Sequence, residues 1–344
     1  MSRPSPHPSR NVEVLHSIVE AYIDSGEPVA SRTVSRRGSP LSPASIRNIM
    51  ADLADEGYLC QPHTSAGRVP TEKAFRSYVA SLSARRRLPA GEADRVRAEF
   101  QSAATVEDRL ERSSNLLTEL TRNVGIAAAI PDAKQTLDQV ELIALGDHRV
   151  LFILVTGDHM VRNRMVVVDE NLSQDELNSI RNYINRNFSG WSLADVRSRL
   201  TQLLEQESAL YDAILKRLNM LCERGLLEIG MAPEVHLGGT SYLIGLDLHL
   251  TREKMRELFR ALEEKKRVLH LLDRFLEQPA GELTVRVGLA EAHPSMSELS
   301  LIGLTVALPS GMPAKIAVLG PLRMNYERVM SAVLHVGQAI EASA

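Results

Sequence analysis

Residues 41–71, LSPASIRNIMADLADEGYLCQPHTSAGRVPT, decide the fold of the front of the chain. The pattern predicts a helix that is capped by Ser42, with Pro43 in its first turn, where a missing N–H costs nothing. Gly57 is expected to end this helix, because glycine tolerates the left-handed backbone that follows a last helical turn. The stretch therefore begins as one short, well-delimited helix.

The second half of this stretch predicts a small hairpin. Residues 58–60 indicate a short strand, in which Cys60 is expected to be buried. Residues 61–69 contain proline, glycine, serine and threonine together with His63, a composition typical of a turn with a polar, basic tip. His63 alone indicates no metal site and is equally compatible with an ordinary surface histidine.

The short helix has two distinct faces at helical periodicity. Its apolar side chains share the inward face: Ile46, Ile49, Met50 and Leu53. Two small residues flanked by Arg and Asn share the outward face: Ala44, Arg47, Asn48 and Ala51. Small residues allow a close approach of the backbone, and Arg and Asn suit paired hydrogen bonds with guanine and adenine edges. The outward face is therefore a candidate for binding the major groove of DNA.

Two further helices are expected upstream. Residues 10–25 place apolar side chains three and four apart, and Gly26 follows as a stop signal. Residues 31–37 predict a second short helix, with Ser31 as a candidate cap. Three helices followed by a basic hairpin predict a winged helix-turn-helix domain, whose third helix enters the major groove. An exposed Arg and Asn are also compatible with a merely solvated helix face.

Charge and composition are compatible with this interpretation. The 344 residues carry a net charge of -3, with 44% hydrophobic and 24% charged residues. Residues 1–89 hold 12 Lys and Arg against 8 Asp and Glu, whereas the rest holds 28 against 35. A basic front on an acidic body favours a polyanionic partner, although a difference this small could arise by chance.

Several function classes lack their sequence signals. No apolar run is long enough to predict a membrane span. Cys60 and Cys222 are isolated, which predicts neither a disulfide framework nor a metal site and favours a reducing compartment. The chain contains no phosphate-binding Gly-Lys-Ser/Thr loop, no H-E-x-x-H and no G-x-S-x-G. We therefore expect no enzyme, no cofactor and no metal.

The body of the chain predicts an α+β fold. A helix is expected at 105–123, followed by strands at 138–145, 149–156 and 160–168, whose tight turns indicate an antiparallel meander. Three more strands at 283–290, 298–308 and 313–319 are expected to complete one sheet, and a last helix covers 325–341.

Long helical patterns separate the two sets of strands. They lie at 173–187, 193–224 and 251–277. The second pattern carries an apolar stripe that could be a dimer surface or internal core: Leu200, Leu203, Leu204, Leu210, Ile214, Leu215 and Leu218.

Several segments resemble a known family. Three segments strongly resemble the bacterial heat-inducible transcription repressors, HrcA: EPVASRTVS (27–35), LSPASIRNIMADLADEGYL (41–59) and QPHTSAGRVPTEKAFRSYV (61–79). The run PHTSAGRVPT is far more specific than a generic helix-turn-helix pattern. The resemblance continues through GIAAAIP (125–131), LGGTSYLIG (237–245) and VLGPLRMNYERV (318–329). It therefore spans most of the chain.

This chain also departs from the family pattern. Ala30 stands where glycine is expected, and Ala74 and Phe75 stand where Gly-Tyr is expected. The run GLAEA at 288–292 lacks an expected Glu-Asn pair. None of these positions belongs to the outward helix face or the hairpin tip.

The resemblance implies a domain organisation. It implies a winged helix-turn-helix domain followed by a GAF-like antiparallel-sheet domain, which is interrupted by a helical inserted dimerisation domain. The corresponding segments run as a disordered tail (1–9), a winged-helix domain (10–82), a linker (83–104), a GAF-like domain (105–190 and 278–344) and an inserted domain (191–277). Arg85, Arg86 and Arg87 in the linker could touch phosphates or simply be solvated.

The resemblance also implies partners and a location. It implies a homodimer that binds an inverted-repeat operator in double-stranded DNA upstream of chaperone genes, with its activity maintained by a GroE-type chaperonin. The expected location is the bacterial cytoplasm, in association with the nucleoid. The candidate DNA-binding residues are Ser42, Ala44, Ser45, Arg47, Asn48, His63, Thr64, Ser65 and Arg68. The alternatives are a winged-helix regulator whose GAF-like domain senses a small molecule, and an enzyme using the α+β domain.

Overall fold

The computed structural model describes residues 8–63, 66–82, 88–103, 105–129, 135–157, 160–205, 213–224, 233–243, 251–276, 278–309 and 311–342. Across these ranges the chain forms twelve α-helices and ten β-strands. The helices are α1 (Pro8–Ser25), α2 (Ser31–Arg36), α3 (Pro43–Asp55), α4 (Glu72–Ser81), α5 (Ala90–Gln101), α6 (Val106–Thr121), α7 (Gln174–Phe188), α8 (Leu193–Glu205), α9 (Ala213–Glu223), α10 (Arg252–Glu263), α11 (Lys265–Phe275) and α12 (Tyr326–Ala342). The strands are β1 (Leu59–Cys60), β2 (Val69–Pro70), β3 (Val124–Ala129), β4 (Leu137–Gly146), β5 (Arg149–Thr156), β6 (Val161–Val167), β7 (Glu234–Gly238), β8 (Thr284–Val287), β9 (Leu299–Ala307) and β10 (Pro313–Pro321).

The N-terminal unit consists of α1 to α4 and the hairpin β1–β2. Strands β1 and β2 pair antiparallel, and Val29 adds one more bridge to Arg68 at the base of the hairpin. The three helices, the strand after Gly57 and the hairpin lie where the sequence predicted them. Two local predictions are wrong. The cap of α2 is Ala30, without a side-chain hydrogen bond, and Ser31 is a buried residue of the first turn. Cys60 is exposed, because its side chain alternates with that of buried Leu59 along a two-residue strand.

The central layer of the body is a five-stranded antiparallel sheet in the order β7-β3-β10-β9-β8. Alternate residues of its strands point to opposite faces, and each face buries a helical layer. One face packs on α6 and α12 in a core that includes Ala127, Ile316 and Val333. The other face packs on α10 and α11 through residues such as Ile126 and Leu272. The structure is therefore α+β, as predicted.

The meander β4-β5-β6 forms a separate three-stranded sheet. The prediction that it joins the C-terminal strands in one sheet is wrong. Its inner face packs on α7, α8 and α9 in a core of its own, which contains Phe152, Ile180, Leu200 and Leu218. The described members of the apolar stripe at 193–224 therefore contribute to this internal core. Leu204, Leu210, Ile214 and Leu215 lie outside the side chains that the structure describes.

This second body is inserted between two neighbouring strands of the five-stranded sheet. Strand β3 ends at Ala129 and pairs antiparallel with β7, which begins at Glu234. The sequence pattern did not predict these two strands. Every residue of β3 is buried and most are small, so the strand has no alternation of polar and apolar residues to reveal it. The domain boundaries derived from the sequence stay a prediction. The two bodies have separate cores, which favours a different boundary for the inserted domain.

The segment 83–104, expected to be a linker, contains the helix α5. Its residues Val96 and Phe100 are buried in the same core as α12, and Glu92 forms an ion pair with Arg328 at 3.1 Å. The arginine run 85–87 and residues 1–7 of the expected tail lie outside the described residues.

The N-terminal unit and the five-stranded sheet share one continuous core. Buried residues of α1 and α4, such as Ile18 and Phe75, belong to the same cluster as Ile302 of β9 and Tyr326 of α12. Burial of this apolar surface favours a defined orientation of the two units, at roughly 25 cal/mol per Å² removed from water. Within the described residues, no helix is both long and apolar enough to cross a bilayer.

Candidate nucleic-acid interface

The outward face of α3 is free for a partner. Ile46, Met50 and Leu53 are buried against the core of the unit, so the opposite side of the helix is turned away from it. Ala44, Arg47, Asn48 and Ala51 are exposed, as the periodicity predicted. Within the described residues, neither Arg47 nor Asn48 has a hydrogen-bond or ion-pair partner. In the described part of the chain, nothing therefore occupies the hydrogen-bonding groups of these two side chains, which suits them to an external partner.

The start of α3 is fixed by its cap. The Ser42 Oγ accepts a hydrogen bond from the Ser45 N–H at 3.1 Å and lies 3.0 Å from the Ser45 Oγ. Pro43 occupies the first turn, as predicted. The remaining N–H groups of this first turn give the helix end a partial positive charge, which favours an anion such as phosphate.

Replacing Ser42 with Ala should destabilise the N-terminal unit. The change removes the capping oxygen and leaves the Ser45 N–H without it, which costs about 1 kcal/mol in the free energy of unfolding. Chemical denaturation measures this loss. Ser39→Ala is the control, because Ser39 lies in the same α2–α3 connection and caps no helix, and among the described residues its side chain accepts only a long 3.4 Å hydrogen bond from the Leu41 N–H. Equal stability of the two variants would show that the cap contributes nothing.

Hydrogen bonds within the hairpin and to Val29 hold its two arms together. The Arg68 Nη1 donates to the Gln61 Oε1 at 2.7 Å, and the Gln61 Nε2 donates to the Ala66 carbonyl at 3.1 Å. The Arg68 backbone exchanges two hydrogen bonds with Val29, at 2.8 and 2.9 Å. Gly67 is required here, since a methyl group on it would lie 2.6 Å from the Val29 carbonyl. The base of the hairpin is therefore rigid.

The tip of the hairpin carries the remaining predicted residues. His63 is exposed, and its carbonyl accepts a hydrogen bond from the Ala66 N–H at 2.9 Å. Thr64 and Ser65 lie outside the described residues. Arg68 as a whole is half-buried at the side of the hairpin, and its guanidinium donates to Gln61 in an exposed hydrogen bond. The structure thus brings the α3 residues together on one helix face and places His63 and Arg68 on the adjoining hairpin.

Sequence reasoning missed two cations on α2. Arg32 and Arg36 are exposed on the helix that precedes α3, and neither has an ion-pair partner within the described residues. Arg37, by contrast, forms an ion pair with Asp24. The four-residue spacing of Arg32 and Arg36, on the side opposite buried Val34, could have revealed them.

One side-chain cluster away from α3 has the composition of a metal site. Glu107, Glu234 and His236 bring one ligand atom each within 4.8 Å of one another. However, the Arg162 Nη1 lies 3.7 Å from the Glu234 Oε1, so this carboxylate already has a cation beside it. The imidazole of His236 lowers the pKa of the Glu234 carboxyl, and Arg162 adds to the effect. Arg162 and His236 therefore already neutralise Glu234 without a metal ion.

Comparison with known proteins identifies the family. Residues 107–330 match the family described as HrcA protein C terminal domain. The chain is also 38% identical over 334 residues to the heat-inducible transcription repressor HrcA of Geobacter sulfurreducens, covering 96% of each chain. The chain belongs to the HrcA family of heat-inducible transcription repressors. A second HrcA, from Sorangium cellulosum, is 34% identical over 327 residues, covering 94% of each chain.

The HrcA fold is also seen in a solved structure. The crystal structure of a hypothetical protein covers 98% of this chain and 100% of its own, with a TM-score of 0.64 and 22% identity. This likeness extends over the whole architecture of the chain. HrcA is a family of transcription repressors and not of enzymes, so the free polar face of α3 is interpreted as a binding surface.

Proposed function

We propose that this HrcA-family chain is a homodimeric winged-helix repressor that binds an inverted-repeat DNA operator upstream of chaperone genes. The observation that supports this most is the outward face of α3, where Arg47 and Asn48 extend from a capped helix and form no side-chain hydrogen bond or ion pair with any described residue. A repressor needs such a surface, because sequence is read by side chains that reach base edges.

In this proposal α3 lies in the major groove. Arg47 would make paired hydrogen bonds with a guanine edge, and Asn48 with an adenine edge. Ala44 allows the helix to approach the bases closely. Ser42 and Ser45 lie at the positively polarised start of the helix and would contact phosphate. Arg32 and Arg36 on α2 would hold the neighbouring backbone.

The hairpin would act as the wing. His63, Thr64, Ser65 and Arg68 would lie against phosphates beside the groove, which fixes the orientation of α3 without reading sequence. The bracing of the hairpin by Gln61 supports this role, because a rigid wing loses little conformational freedom on binding.

Arg68→Ala should weaken binding to all DNA sequences alike. Loss of one phosphate contact should flatten the dependence of log affinity on log salt by about one unit, with little change in base preference. A salt titration of binding to operator and scrambled duplexes measures both quantities. Gln61→Ala is the matched control, since it loosens the Arg68 side chain but removes no charge. An unchanged salt slope would remove Arg68 from the phosphate footprint.

The surface proposed for dimerisation is the open face of the three-stranded sheet. Ile143, Leu151 and Met165 are directly paired across β4, β5 and β6 on this face. Five of the seven large, exposed apolar side chains in the described residues belong to it: Ile143, Leu145, Val161, Met165 and Val167. A contiguous apolar patch of this kind marks an interaction site.

The occupant of this face is proposed to be a second copy of the chain. A two-fold inverted repeat requires two α3 helices related by two-fold symmetry, and a self-complementary sheet face supplies that symmetry. We accordingly propose that the inserted dimerisation body is 135–224 rather than 191–277. The five-stranded sheet, with α6, α10, α11 and α12, would then be the GAF-like domain.

The proposals for the regulation and the location of this protein rest on the family resemblance. We propose that a GroE-type chaperonin maintains the binding-competent population of this repressor, and that the protein acts at the bacterial nucleoid in the cytoplasm. A partner that favours one conformation shifts the population by its difference in affinity for the two states. Added chaperonin with ATP is expected to raise the fraction of protein that binds the operator.

Fluorescence anisotropy tests the proposed function. A labelled duplex from the chaperone-operon promoter of the source genome is compared with a scrambled duplex across a salt series, with and without chaperonin. We expect at least about 10³-fold preference for the promoter duplex at moderate salt. Equal affinity for the two duplexes in the presence of active chaperonin would contradict operator binding.

A further inference from the structure

Two glycines join the N-terminal unit to the five-stranded sheet in a reciprocal way. Gly26 follows α1 with a φ of +73°, and the guanidinium of Arg323, which follows β10, lies directly against it. Gly288 follows β8 with the same φ of +73°, and the carboxylate of Glu72 from α4 lies directly against it. Each unit therefore supplies one glycine and one charged side chain to the other.

A Cβ atom at either glycine would displace the charged end of the flexible side chain that lies against it. A methyl group on Gly26 would overlap the Arg323 guanidinium, and one on Gly288 would overlap the Glu72 carboxyl group. By comparison, Gly281 has a φ of +85° and meets nothing within 4 Å. Glycine at 26 and 288 thus lets the two charged groups keep these positions, and it also suits the positive φ of both residues.

Polar and aromatic contacts surround these two positions. The Arg76 Nε donates to the Val287 carbonyl at 3.2 Å, and Arg76 forms an ion pair with Glu72 at 2.5 Å. Phe75, between them in sequence, lies 6.2 Å from Tyr326 between ring centroids. The Tyr326 hydroxyl donates to the Leu322 carbonyl at 2.9 Å, just before Arg323. The guanidinium of Arg323 also suits the carbonyl end of α1, where a cation is favoured.

Hydrogen bonds link the start of α4 to the segment that follows α3. Thr71, which immediately precedes α4, donates through its Oγ1 to the Gly57 carbonyl at 2.8 Å and the Tyr58 carbonyl at 3.0 Å. Gly57 and Tyr58 lie just after the end of α3. Holding α4 against Gly288 therefore also holds α3 in a defined orientation relative to the five-stranded sheet.

We propose that Glu72 on Gly288 and Arg323 on Gly26 are positioning contacts that set the separation of the two α3 helices in the dimer. This inference rests on the proposed function. The sheet carries the dimerisation body between β3 and β7, so a unit fixed to the sheet is also fixed relative to its copy. Fixed separation raises the effective concentration of the second α3 at the second half-site, which strengthens full-site binding only.

The test compares a full inverted repeat with a single half-site duplex. Gly288→Ala should lower affinity for the inverted repeat about tenfold and leave half-site affinity unchanged. Gly281→Ala carries the same backbone strain without the contact, and it should leave both affinities unchanged. Arg323→Ala removes the second contact without backbone strain, and it should show the same pattern as Gly288→Ala. It therefore provides the test if Gly288→Ala folds poorly. Equal loss on both duplexes, or no loss on the inverted repeat, would overturn the inference.

A second measurement does not depend on DNA. Spin labels at Cys60 and at Ala307→Cys, in a Cys222→Ser background diluted with unlabelled chain, report the distance between the two units. The distance distribution should be narrow with the natural residues at 26, 288 and 323, and broader with Gly288→Ala. If the natural chain binds neither duplex, the proposed function fails. The widths of the distance distributions then decide whether the two contacts fix the orientation of the units. Equal widths would overturn it.

Discussion

Met165→Asp is expected to convert the protein to a monomer and to lower its affinity for an inverted repeat by about 100-fold or more. Met165 lies in β6, is 55% exposed, and is paired with Leu151 on the open face of the three-stranded sheet. A carboxylate there would be buried against a second apolar face without a partner, and burial of an unpaired charge is strongly unfavourable.

The loss of affinity follows from the loss of the second α3. A monomer binds each half-site separately, so the gain from linking two binding events disappears. Stability of the single chain should change little, because the replaced side chain is exposed in it. Light scattering gives the oligomeric state, and anisotropy gives the affinity for the two duplexes.

Asn171→Asp is the matched control for this variant. It adds the same charge at an exposed position of the same body, outside the apolar face. The control should remain dimeric and bind as the natural chain does. A dimer that persists in Met165→Asp would place the interface on another surface.

Arg47→Ala should weaken binding to the operator and relax base preference at one position in each half-site. A paired contact with a guanine edge contributes about 1–3 kcal/mol of discrimination, which corresponds to roughly 5- to 150-fold in affinity. Since the Arg47 side chain is exposed and forms no hydrogen bond or ion pair with a described residue, the free protein should keep its stability. Affinities for duplexes with single base-pair changes measure the loss of preference.

Arg186→Ala provides the comparison for Arg47. Arg186 is also an exposed helical arginine, but it lies on α7 of the inserted body. Its removal changes the net charge equally and should leave operator preference intact. If Arg47→Ala instead lowers affinity for all duplexes by the same factor, Arg47 contacts phosphate and another residue reads the bases.

Features set by local chemistry could be predicted from the sequence. The start of α3 depends on Ser42 and Pro43, and its two faces depend on a periodicity that is visible within one helix. The turn between β4 and β5 depends on Gly146, Asp147 and His148, all of which adopt positive φ. These are short-range effects, and the corresponding elements lie where the pattern placed them.

Features set by long-range packing could not be predicted in this way. The meander was expected in one sheet with β8 to β10, because its tight turns define pairing within it but not the sheet that it joins. Ser31 was expected as a cap, yet it packs into the interior while Ala30 takes the extended position. Half of the residues of strand β3 are alanines, and the strand is buried because helices cover both faces of the sheet.

The candidate site also combines features that the sequence predicts with features that only the structure shows. Arg47 and Asn48 were found because helical periodicity places them opposite a buried face. The contacts at Gly26 and Gly288 join residues of different units, and only the three-dimensional structure reveals them. The hydrogen bond from Arg68 to Gln61 is local to the hairpin, but the sequence pattern does not specify which side chains meet there.

The central claim is that a dimer presents two α3 helices to two halves of one operator. Hydroxyl-radical footprinting on the chaperone-operon promoter of the source genome tests this most directly. Such a dimer should protect two half-sites of related sequence, arranged as an inverted repeat and separated by one helical turn, roughly 34–36 Å, or a multiple of it. A single protected half-site, or uniform protection along the duplex, would contradict it.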